Sequence, residues 1–238
     1  MFHWLKPKSN FLDVDLHSHL IPGIDDGVKS WDEALNILTT LHQIGYKKII
    51  TTPHIIHDYY PNTPEIIREG VTKLNKLVSE KGLDLTVEPG AEYFIDEHFI
   101  EAIDKGKELL TFGGGHILIE TPFMNKPVFI DDVVFKLKAK GLKPILAHPE
   151  RYTYLQQDHN LAKVWADSGL LMQINISALS GYYSKEAQKL AKVLIEAGQV
   201  HFLASDIHNL KHLAQLQKTI KTKLFQRCRQ LPLLNSSL

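Results

Sequence analysis

Short apolar segments alternate with amphipathic segments along almost the whole sequence, and this alternation is the strongest constraint on the fold. The apolar segments are five or six residues long, whereas the amphipathic segments repeat their apolar residues at helical spacing. The predicted strands are Phe11–Leu16, Lys47–Thr52, Asp84–Glu88, His116–Glu120, Lys143–Ala147, Leu170–Asn175 and Val200–Ser205. Strands that are separated by helices usually pair in parallel, so the sequence predicts an α/β fold with a parallel sheet.

The intervening helices carry recognisable start and stop signals. Ser30 and Glu33 match a capping box and Gly45 ends that helix, while Pro64 opens the next helix and Gly82 ends it. The other predicted helices are Asp96–Asp104, Pro127–Gly141, Leu155–Ser168, Lys185–Ala197 and Asn209–Cys228. Three glycines at 113–115 precede a strand and lack the Lys-Ser/Thr pair of a phosphate-binding loop, so they are predicted to form a turn.

Side chains that can bind metals follow six of the seven predicted strands. The first strand leads to His17 and His19, which point the same way because they are two positions apart, and then to a turn with Asp25 and Asp26. In a (β/α) barrel, residues beyond the carboxyl ends of the strands meet at one mouth. An open doubly wound sheet is the alternative, but its crevice would draw on fewer strands. The pattern therefore favours a barrel in a single domain.

The candidate ligands are imidazoles and carboxylates, with no cysteine among them. Such a set suits manganese, iron or zinc rather than a structural thiolate zinc site. It consists of His17, His19, Asp25 or Asp26, His54, Glu92, Glu120, His148, Asp206 and His208. These residues exceed the needs of one ion, so we expect two or three ions that share bridging carboxylates. Adjacent divalent ions activate water and stabilise displacement at phosphorus, which indicates phosphoester hydrolysis.

Charge and cysteine content exclude several classes of function. The 27 basic and 27 acidic residues balance, so the sequence predicts neither a nucleic-acid partner nor membrane insertion. Cys228 is the only cysteine, and Leu234 stands where a phosphatase of the Cys-x5-Arg type requires arginine. The N-terminal residues lack a long apolar stretch, and we expect a cytoplasmic location.

Several spaced motifs resemble, in the same order, those of the PHP (polymerase and histidinol phosphatase) superfamily. They are His17-Ser18-His19, Asp25-Asp26-Gly27, Thr52-Pro53-His54, Pro89-Gly90-Ala91-Glu92, Glu120, His148-Pro149-Glu150-Arg151-Tyr152 and Ser205-Asp206-Ile207-His208-Asn209. Within the superfamily, the sequence is most similar to the bacterial capsule-locus (CpsB/CapC-like) tyrosine phosphatases. The resemblance covers roughly Asp13 to Asn209 and implies the PHP fold, a distorted TIM-like (β/α)7 barrel.

The resemblance also implies a reaction, which is manganese-dependent hydrolysis of phosphotyrosine in proteins by a metal-bound hydroxide. The implied substrate is the tail of a bacterial tyrosine autokinase that controls capsular polysaccharide synthesis. Two other hypotheses remain, namely a small-molecule phosphomonoesterase such as histidinol phosphatase and a noncatalytic metal-stabilised binding module. The complete set of ligand positions argues against the binding module.

The resemblance further implies a role for each matching residue. His17, His19, Glu92 and Asp206 would hold one ion, Glu92 would bridge to a second ion held by Glu120 and His148, and Asp26, His54 and His208 would hold the third. Asp25 is the alternative to Asp26, and Arg151 would bind the substrate phosphate. A second arginine that the family places after the last His-Asn pair is missing here, where only Lys211 and His212 are near.

The remaining predictions concern residues outside this set. Histidines without a strand-end position are predicted to be surface or packing residues, and they are His3, His42, His57, His98, His116, His159, His201 and His212. Tyr93, Tyr152, Tyr182 and Tyr183 would either flank a phosphotyrosine ring or pack within loops. Residues 1–238 are predicted to form one domain, with a motif-bearing core at about 11–209 and a C-terminal helix and tail at 210–238.

Overall fold

The computed structural model describes residues 12–238. Its strands are β1 (Val14–Asp15), β2 (Lys48–Thr51), β3 (His54–Ile55), β4 (Thr86–Pro89), β5 (Glu92–Phe94), β6 (His116–Glu120), β7 (Lys143–Ala147), β8 (Leu171–Asn175) and β9 (Phe202–Ala204). Its α-helices are α1 (Trp31–Ile44), α2 (Pro64–Glu80), α3 (Glu97–Asp104), α4 (Ile130–Ala139), α5 (Thr153–Gln157), α6 (His159–Asp167), α7 (Lys185–Glu196), α8 (Leu210–Thr219) and α9 (Lys223–Cys228). The predicted start of the first strand at Phe11, His3 and the N-terminal stretch considered for targeting lie outside the described residues.

The named strands pair in parallel, which confirms the predicted α/β class. They form two sheets, in the orders β1-β2-β4 and β3-β5-β6-β7-β8-β9. The expected closed barrel is therefore present only in part, because the strand ladder is not continuous around a ring.

Two of the predicted strands are each followed by a further short strand, and the chain passes from one sheet to the other between them. Pro53 separates β2 from β3, since proline has no N–H to donate to a strand ladder. Gly90 separates β4 from β5, and a Cβ at this position would lie 2.9 Å from the side chains of Phe112 and Thr52. The predicted second and third strands correspond to β2 and β4, and β3 and β5 are short strands beyond their predicted ends.

The seam between β1 and β9 is held by single contacts rather than by a ladder. Ser18 and Ile207 form an isolated parallel bridge, and the His19 amide donates to the Ile207 carbonyl at 2.8 Å. Nearer the amino ends of these two strands, the side chain of Asn235 donates to the carbonyls of Val14 at 3.0 Å and Leu203 at 2.8 Å. The C-terminal tail, for which the sequence predicted no structural role, therefore joins the two edge strands.

The inner core contains residues from both sheets. Leu16 and Ile50 from the first sheet region pack with Leu118, Ile145 and Phe202 of the second. A larger outer core lies between the strands and the apolar faces of the helices. Because the interior is filled by side chains, the polar residues at the carboxyl ends of the strands lie against a packed hydrophobic core.

The helices follow the predicted order, with two additional breaks. The predicted helix at 155–168 is α5 and α6, since Asp158 caps a new helix by accepting hydrogen bonds from the amides of Asn160 and Leu161. The predicted final helix is α8 and α9, with Thr222 as the second cap. Residues 113–115 form the predicted turn. No helix within residues 12–238 combines the length and the apolar character that a bilayer span requires.

Candidate metal centre

The predicted ligands converge at the carboxyl ends of the strands. His17 and His19 follow β1, His54 follows β2 at the start of β3, Glu92 follows β4 at the start of β5, Glu120 ends β6, His148 follows β7, and Asp206 and His208 follow β9. All of these side chains are buried or nearly so, whereas Asp26 is half exposed. Except for the fully buried His17 and His19, they line a cleft of about 280 Å³ together with Phe123, Arg151, Asn209 and His212.

The first group of ligand atoms has the spacing of a metal-binding set. The Nε2 atom of His17 lies 3.2 Å from Nε2 of His19, 3.1 Å from Oε2 of Glu92 and 3.4 Å from Oδ1 of Asp206. The Nε2 atom of His19 lies 3.4 Å from the same Glu92 oxygen and 3.6 Å from the same Asp206 oxygen. Four ligands at tetrahedral positions, each about 2.1 Å from one ion, are separated by about 3.4 Å. The two imidazole nitrogens therefore lie at ligand spacing from each other and from both carboxylates, and His17, His19 and Glu92 together can place ligand atoms within 4.8 Å of one another.

The second group lies nearer the solvent. The Oδ1 atom of Asp26 is 3.5 Å from Nε2 of His54 and 3.4 Å from Nε2 of His208. These three residues and His19 can place ligand atoms within 4.8 Å of one another. The group thus matches the set that the family resemblance implied for a third ion.

Asp25 has a different position from Asp26. Its Oδ2 atom lies 2.8 Å from Nδ1 of His19, and its Oδ1 atom accepts the amide of Gly27 at 2.9 Å. A Cβ at Gly27 would lie 2.4 Å from the His19 carbonyl oxygen, so glycine is required for this tight turn. Asp25 therefore orients the His19 ring, as carboxylates commonly do behind metal-binding histidines.

Glu92 connects the groups through its two oxygens. Its Oε2 atom faces His17 and His19, while its Oε1 atom lies 2.9 Å from Nε2 of His148. The carboxylate of Glu120 lies 2.8 Å from Nδ1 of His54, which is itself 3.2 Å from Glu92. A carboxylate with a different partner on each oxygen has the arrangement of a bridging ligand.

Two of the strand ends hold a strained backbone. His148 has a φ of 35° and Asp206 has a φ of 52°, in the left-handed region that residues other than glycine rarely adopt. Such strain persists only where the surroundings impose it, and it is concentrated at functional sites. At both positions the turn directs a polar side chain back over the ends of the strands.

Strand β8 supplies no predicted metal ligand but carries two amides that hold the ligands in place. Gln173 Oε1 accepts from Nδ1 of His17 at 2.8 Å, and Gln173 Nε2 donates to Asn175 Oδ1 at 2.8 Å. Asn175 Nδ2 in turn donates to Oδ2 of Asp206 at 2.7 Å. Since His17 Nδ1 donates to the Gln173 amide oxygen, the Nε2 lone pair of His17 is left for a metal ion.

Arg151 lies at the wall of the cleft. Its Nη1 atom donates to Oδ2 of Asp206 at 3.0 Å, and its guanidinium lies between the rings of Phe123 and Tyr183, 4.7 Å and 4.6 Å from their centroids. Glu150 is not its ion-pair partner, because that buried carboxylate accepts the Asn175 amide at 3.0 Å. The stacked arginine presents a fixed planar group to the cleft.

The electrostatics of the cluster favour bound cations. Burial lowers the pKa of His17, but Glu92 and Asp206 outweigh this effect and raise the pKa to about 9. In the same way, burial opposes the effect of Glu92 and Glu120 on His54, whose pKa rises to about 10. Burial and the nearby Glu92 raise the pKa of Glu120 to about 7. The carboxylates thus attract positive charge, which protons or metal ions can supply.

The sequence matches the family described as capsular polysaccharide synthesis, CpsB/CapC, over residues 13–229. The chain belongs to this family. It is 32% identical over 198 residues to the tyrosine-protein phosphatase YwqE of Bacillus subtilis, covering 83% of this chain and 78% of that protein. It is also 32% identical over 217 residues to the putative tyrosine-protein phosphatase CapC of Staphylococcus aureus, covering 89% and 85%.

A solved structure supports the same relationship. The structure comes from work on YwqE of Bacillus subtilis and CpsB of Streptococcus pneumoniae, described as unique metal-dependent tyrosine phosphatases. It matches with a TM-score of 0.79 and 29% identity over 92% of this chain and 93% of that chain. The family resemblance inferred from the motifs is therefore confirmed.

Sequence reasoning missed several residues of the site. His212 was assigned to the surface or to packing, yet it lines the cleft and its Nδ1 atom lies 3.1 Å from the Asp206 carbonyl oxygen. Phe123 was not considered, although its ring lies over both His148 and Arg151. The positions of Gln173 and Asn175 were predictable, because residues two apart on a strand point to the same side of the sheet. Phe123 and His212 lie in a loop and on a helix, where no such periodicity applies.

Proposed function

We propose that this protein is a metal-dependent protein-tyrosine phosphatase that hydrolyses phosphotyrosine in proteins. The observation that carries the proposal is that the Nε2 atoms of His17 and His19 lie 3.1–3.6 Å from each other and from carboxylate oxygens of Glu92 and Asp206, beside a stacked arginine. Membership of the CpsB/CapC family and similarity to named tyrosine phosphatases support this choice of reaction.

The proposed ligand assignment uses the three groups of atoms described above. His17, His19, Glu92 and Asp206 would hold one ion, Glu92, Glu120 and His148 a second, and Asp26, His54 and His208 a third, with Asp25 orienting His19. Manganese is the proposed ion, with iron or zinc as alternatives, because all three accept mixed imidazole and carboxylate ligands. Bound ions would supply positive charge for the phosphate oxygens and a water activated as nucleophile.

The chain's own residues account for binding of the phosphate group. Arg151 offers several N–H donors in one plane, and its stacking between Phe123 and Tyr183 keeps that plane fixed. The neighbouring aromatic rings provide an apolar wall on which a phenyl group can pack. The phenol of tyrosine has a pKa of about 10 and leaves more readily than an alcohol, so no strong general acid is required.

The biological setting of the proposal follows the family. The substrate would be the tail of a bacterial tyrosine kinase that controls capsular polysaccharide synthesis, and the reaction would take place in the cytoplasm. Residues 12–238 share one extended hydrophobic core from Leu12 to Cys228, which supports a single domain. We also infer that the two sheets, joined at the seam by Asn235, correspond to the distorted seven-stranded PHP barrel.

Hydrolysis of matched phosphate esters tests the proposal. With manganese, the protein should release phosphate from a phosphotyrosine peptide, and a chelator should abolish the release. Histidinol phosphate should be hydrolysed at least about tenfold less efficiently, because it has no phenyl ring to pack beside Arg151. A preference for histidinol phosphate would favour the small-molecule phosphatase, and binding of the peptide without turnover would favour the noncatalytic module.

A further inference from the structure

Basic residues are concentrated in the C-terminal part of the chain. After Asp206 the sequence contains no acidic residue, but it contains Lys211, Lys218, Lys221, Lys223, Arg227 and Arg229. Helix α7 adds Lys185, Lys189 and Lys192. The neutral total of 27 basic and 27 acidic residues conceals this separation, since the acidic excess lies in the rest of the chain.

Helices α7, α8 and α9 bring these residues to one side of the molecule. Gln188 of α7 donates to the Leu179 carbonyl, and Gln215 of α8 donates to the Ser180 hydroxyl, both at 2.8 Å. The two helices therefore flank the same turn at 176–180, against which α9 also packs. We call the exposed basic side chains of these helices and of the α8–α9 connection the basic face, which consists of Lys185, Lys189, Lys192, Lys211, Lys218, Lys221, Lys223 and Arg227.

The α8 and α9 part of the basic face contains no carboxylate, whereas α7 also exposes Glu186 and Glu196. None of the eight side chains of the basic face forms an ion pair with a carboxylate of residues 12–238, whereas many lysines elsewhere do, such as Lys47 with Asp84 and Lys136 with Asp104. Its positive charges are therefore directed to solvent and to whatever anionic group approaches.

The basic face begins at the mouth of the metal centre. Helix α8 starts at Leu210, two residues after His208, and the ring of Tyr182 lies edge-on to His212 of the cleft at 5.8 Å. A helix rises about 1.5 Å per residue, so Lys218 is within about 15 Å of the mouth. An extended polypeptide covers that distance in about five residues.

We propose that the basic face binds acidic side chains or additional phosphate groups on the same polypeptide that carries the scissile phosphotyrosine. This inference rests on the proposed function and specifies its substrate as a polypeptide that is anionic within about five residues of the phosphotyrosine. An anionic membrane fits less well, because Leu213, Leu216 and Phe225 of α8 and α9 are buried and the exposed Leu210 alone gives these helices little apolar surface to insert into lipid.

The expected selectivity is moderate and sensitive to salt. One exposed charge pair contributes little, and several together around α8 and α9, which carry no carboxylate, give about a tenfold effect. Such contacts are screened within about 10 Å at 0.1 M salt, so the preference should fade at higher ionic strength.

Steady-state kinetics on two matched phosphotyrosine peptides test the proposal. One peptide carries three Glu near the phosphotyrosine, and the other carries three Gln at the same positions. The test protein combines Lys218→Glu, Lys221→Glu and Lys223→Glu. The control protein combines Lys76→Glu, Lys81→Glu and Lys140→Glu, which change the net charge equally on exposed sites away from the basic face. Both proteins are compared with the unaltered manganese-loaded chain.

We expect the basic-face variant to raise KM for the Glu peptide about tenfold with kcat unchanged, and to change KM for the Gln peptide less than twofold. The control variant should change neither value, and p-nitrophenyl phosphate should be hydrolysed equally by all three proteins. An equal effect on both peptides, or none, would overturn the inference. So would loss of binding to phosphatidylglycerol vesicles or RNA without a change in peptide selectivity. Absence of p-nitrophenyl phosphate hydrolysis by the unaltered chain would instead count against the proposed function.

Discussion

The guanidinium of Arg151 lies 3.0 Å from Oδ2 of Asp206, on the side of that carboxylate that faces away from the histidine cluster. The other oxygen, Oδ1, lies 3.4 Å from His17 and 3.4 Å from His208. The two oxygens of one carboxylate thus divide between the arginine that we propose to bind phosphate and the histidines that we propose to bind metal. Mutation can therefore distinguish the proposed phosphate binding from the proposed metal binding.

Replacing Arg151 with alanine should impair substrate binding without loss of metal. Removal of a charged donor in a partly buried site costs about 3 kcal/mol, which is about a hundredfold in kcat/KM. Arg151→Lys should recover only part of this loss, since lysine lacks the planar fork and the stacking. Kinetics and elemental analysis on the same samples check the prediction, with Arg68→Ala as a surface control. Loss of metal from Arg151→Ala would show that its role is structural.

Replacing Glu92 with glutamine should remove metal and activity together. The amide keeps the size of the side chain but loses the charge shared by the groups around His17 and His148. We expect metal affinity and turnover to fall by more than about a hundredfold, because the change is larger than removal of an outer hydrogen bond. Full metal content and near-normal turnover in Glu92→Gln would exclude the bridging role.

Replacing Gln173 with leucine should weaken metal binding although Gln173 is not proposed as a ligand. His17 would lose the acceptor that orients its ring, and comparable changes behind metal-binding histidines cost about 10–100-fold in affinity. Met172→Leu is the matched control, because Met172 is the adjacent residue of β8 and belongs to the outer core. Equilibrium dialysis with manganese measures both variants. Equal affinities would mean that the amide chain does not orient the metal ligands.

Metal affinity should increase with pH. The pKa values of His17 and His54 are raised to about 9 and about 10, so both rings carry a proton at pH 7. A metal ion must displace these protons from the imidazole nitrogens. Protons compete with the metal ion for these nitrogens more strongly as the pH falls further below the pKa. Each displaced proton makes the apparent affinity about tenfold stronger per pH unit between pH 6 and 8. Manganese titration calorimetry at pH 6, 7 and 8 checks this trend, which an affinity independent of pH would contradict.

Replacing Asn235 with alanine should destabilise the fold at the seam between β1 and β9. The change leaves the Val14 carbonyl and the Leu203 amide and carbonyl without their buried partner, at a cost of about 2–4 kcal/mol. Urea denaturation measures the loss, and Ser236→Ala on the exposed neighbour should be within about 0.5 kcal/mol of the unaltered chain. An equal stability for both variants would show that the tail does not join the edge strands.

The strand ends and most of the candidate ligands could be predicted from sequence because they depend on local periodicity. An apolar strand followed by a polar turn places His148 and Asp206 at the same edge of a parallel sheet, whatever the details of packing. Their positive φ values were not predictable, since neither residue is the glycine that usually signals such a turn.

Features that depend on long-range contacts could not be predicted from the sequence. The break between the sheets arises at Gly90 from close approach of Phe112, and the seam depends on Asn235, which is 221 residues from Val14 along the chain. The distinction between Asp25 and Asp26 likewise required coordinates, because only the fold shows which carboxylate faces His19 and which faces His54. The sequence pattern predicts which residues lie at the carboxyl ends of the strands. Tertiary packing determines which side chains each of these residues contacts in the cleft.

The central claim is that side chains from distant parts of the chain hold several metal ions around Glu92. Anomalous diffraction from crystals soaked in manganese, recorded at the manganese absorption edge, measures this directly. We predict two or three peaks within the cleft, one of them enclosed by His17, His19, Glu92 and Asp206. Crystals that show no peak in the cleft, or peaks only outside it, would contradict the proposed metal centre.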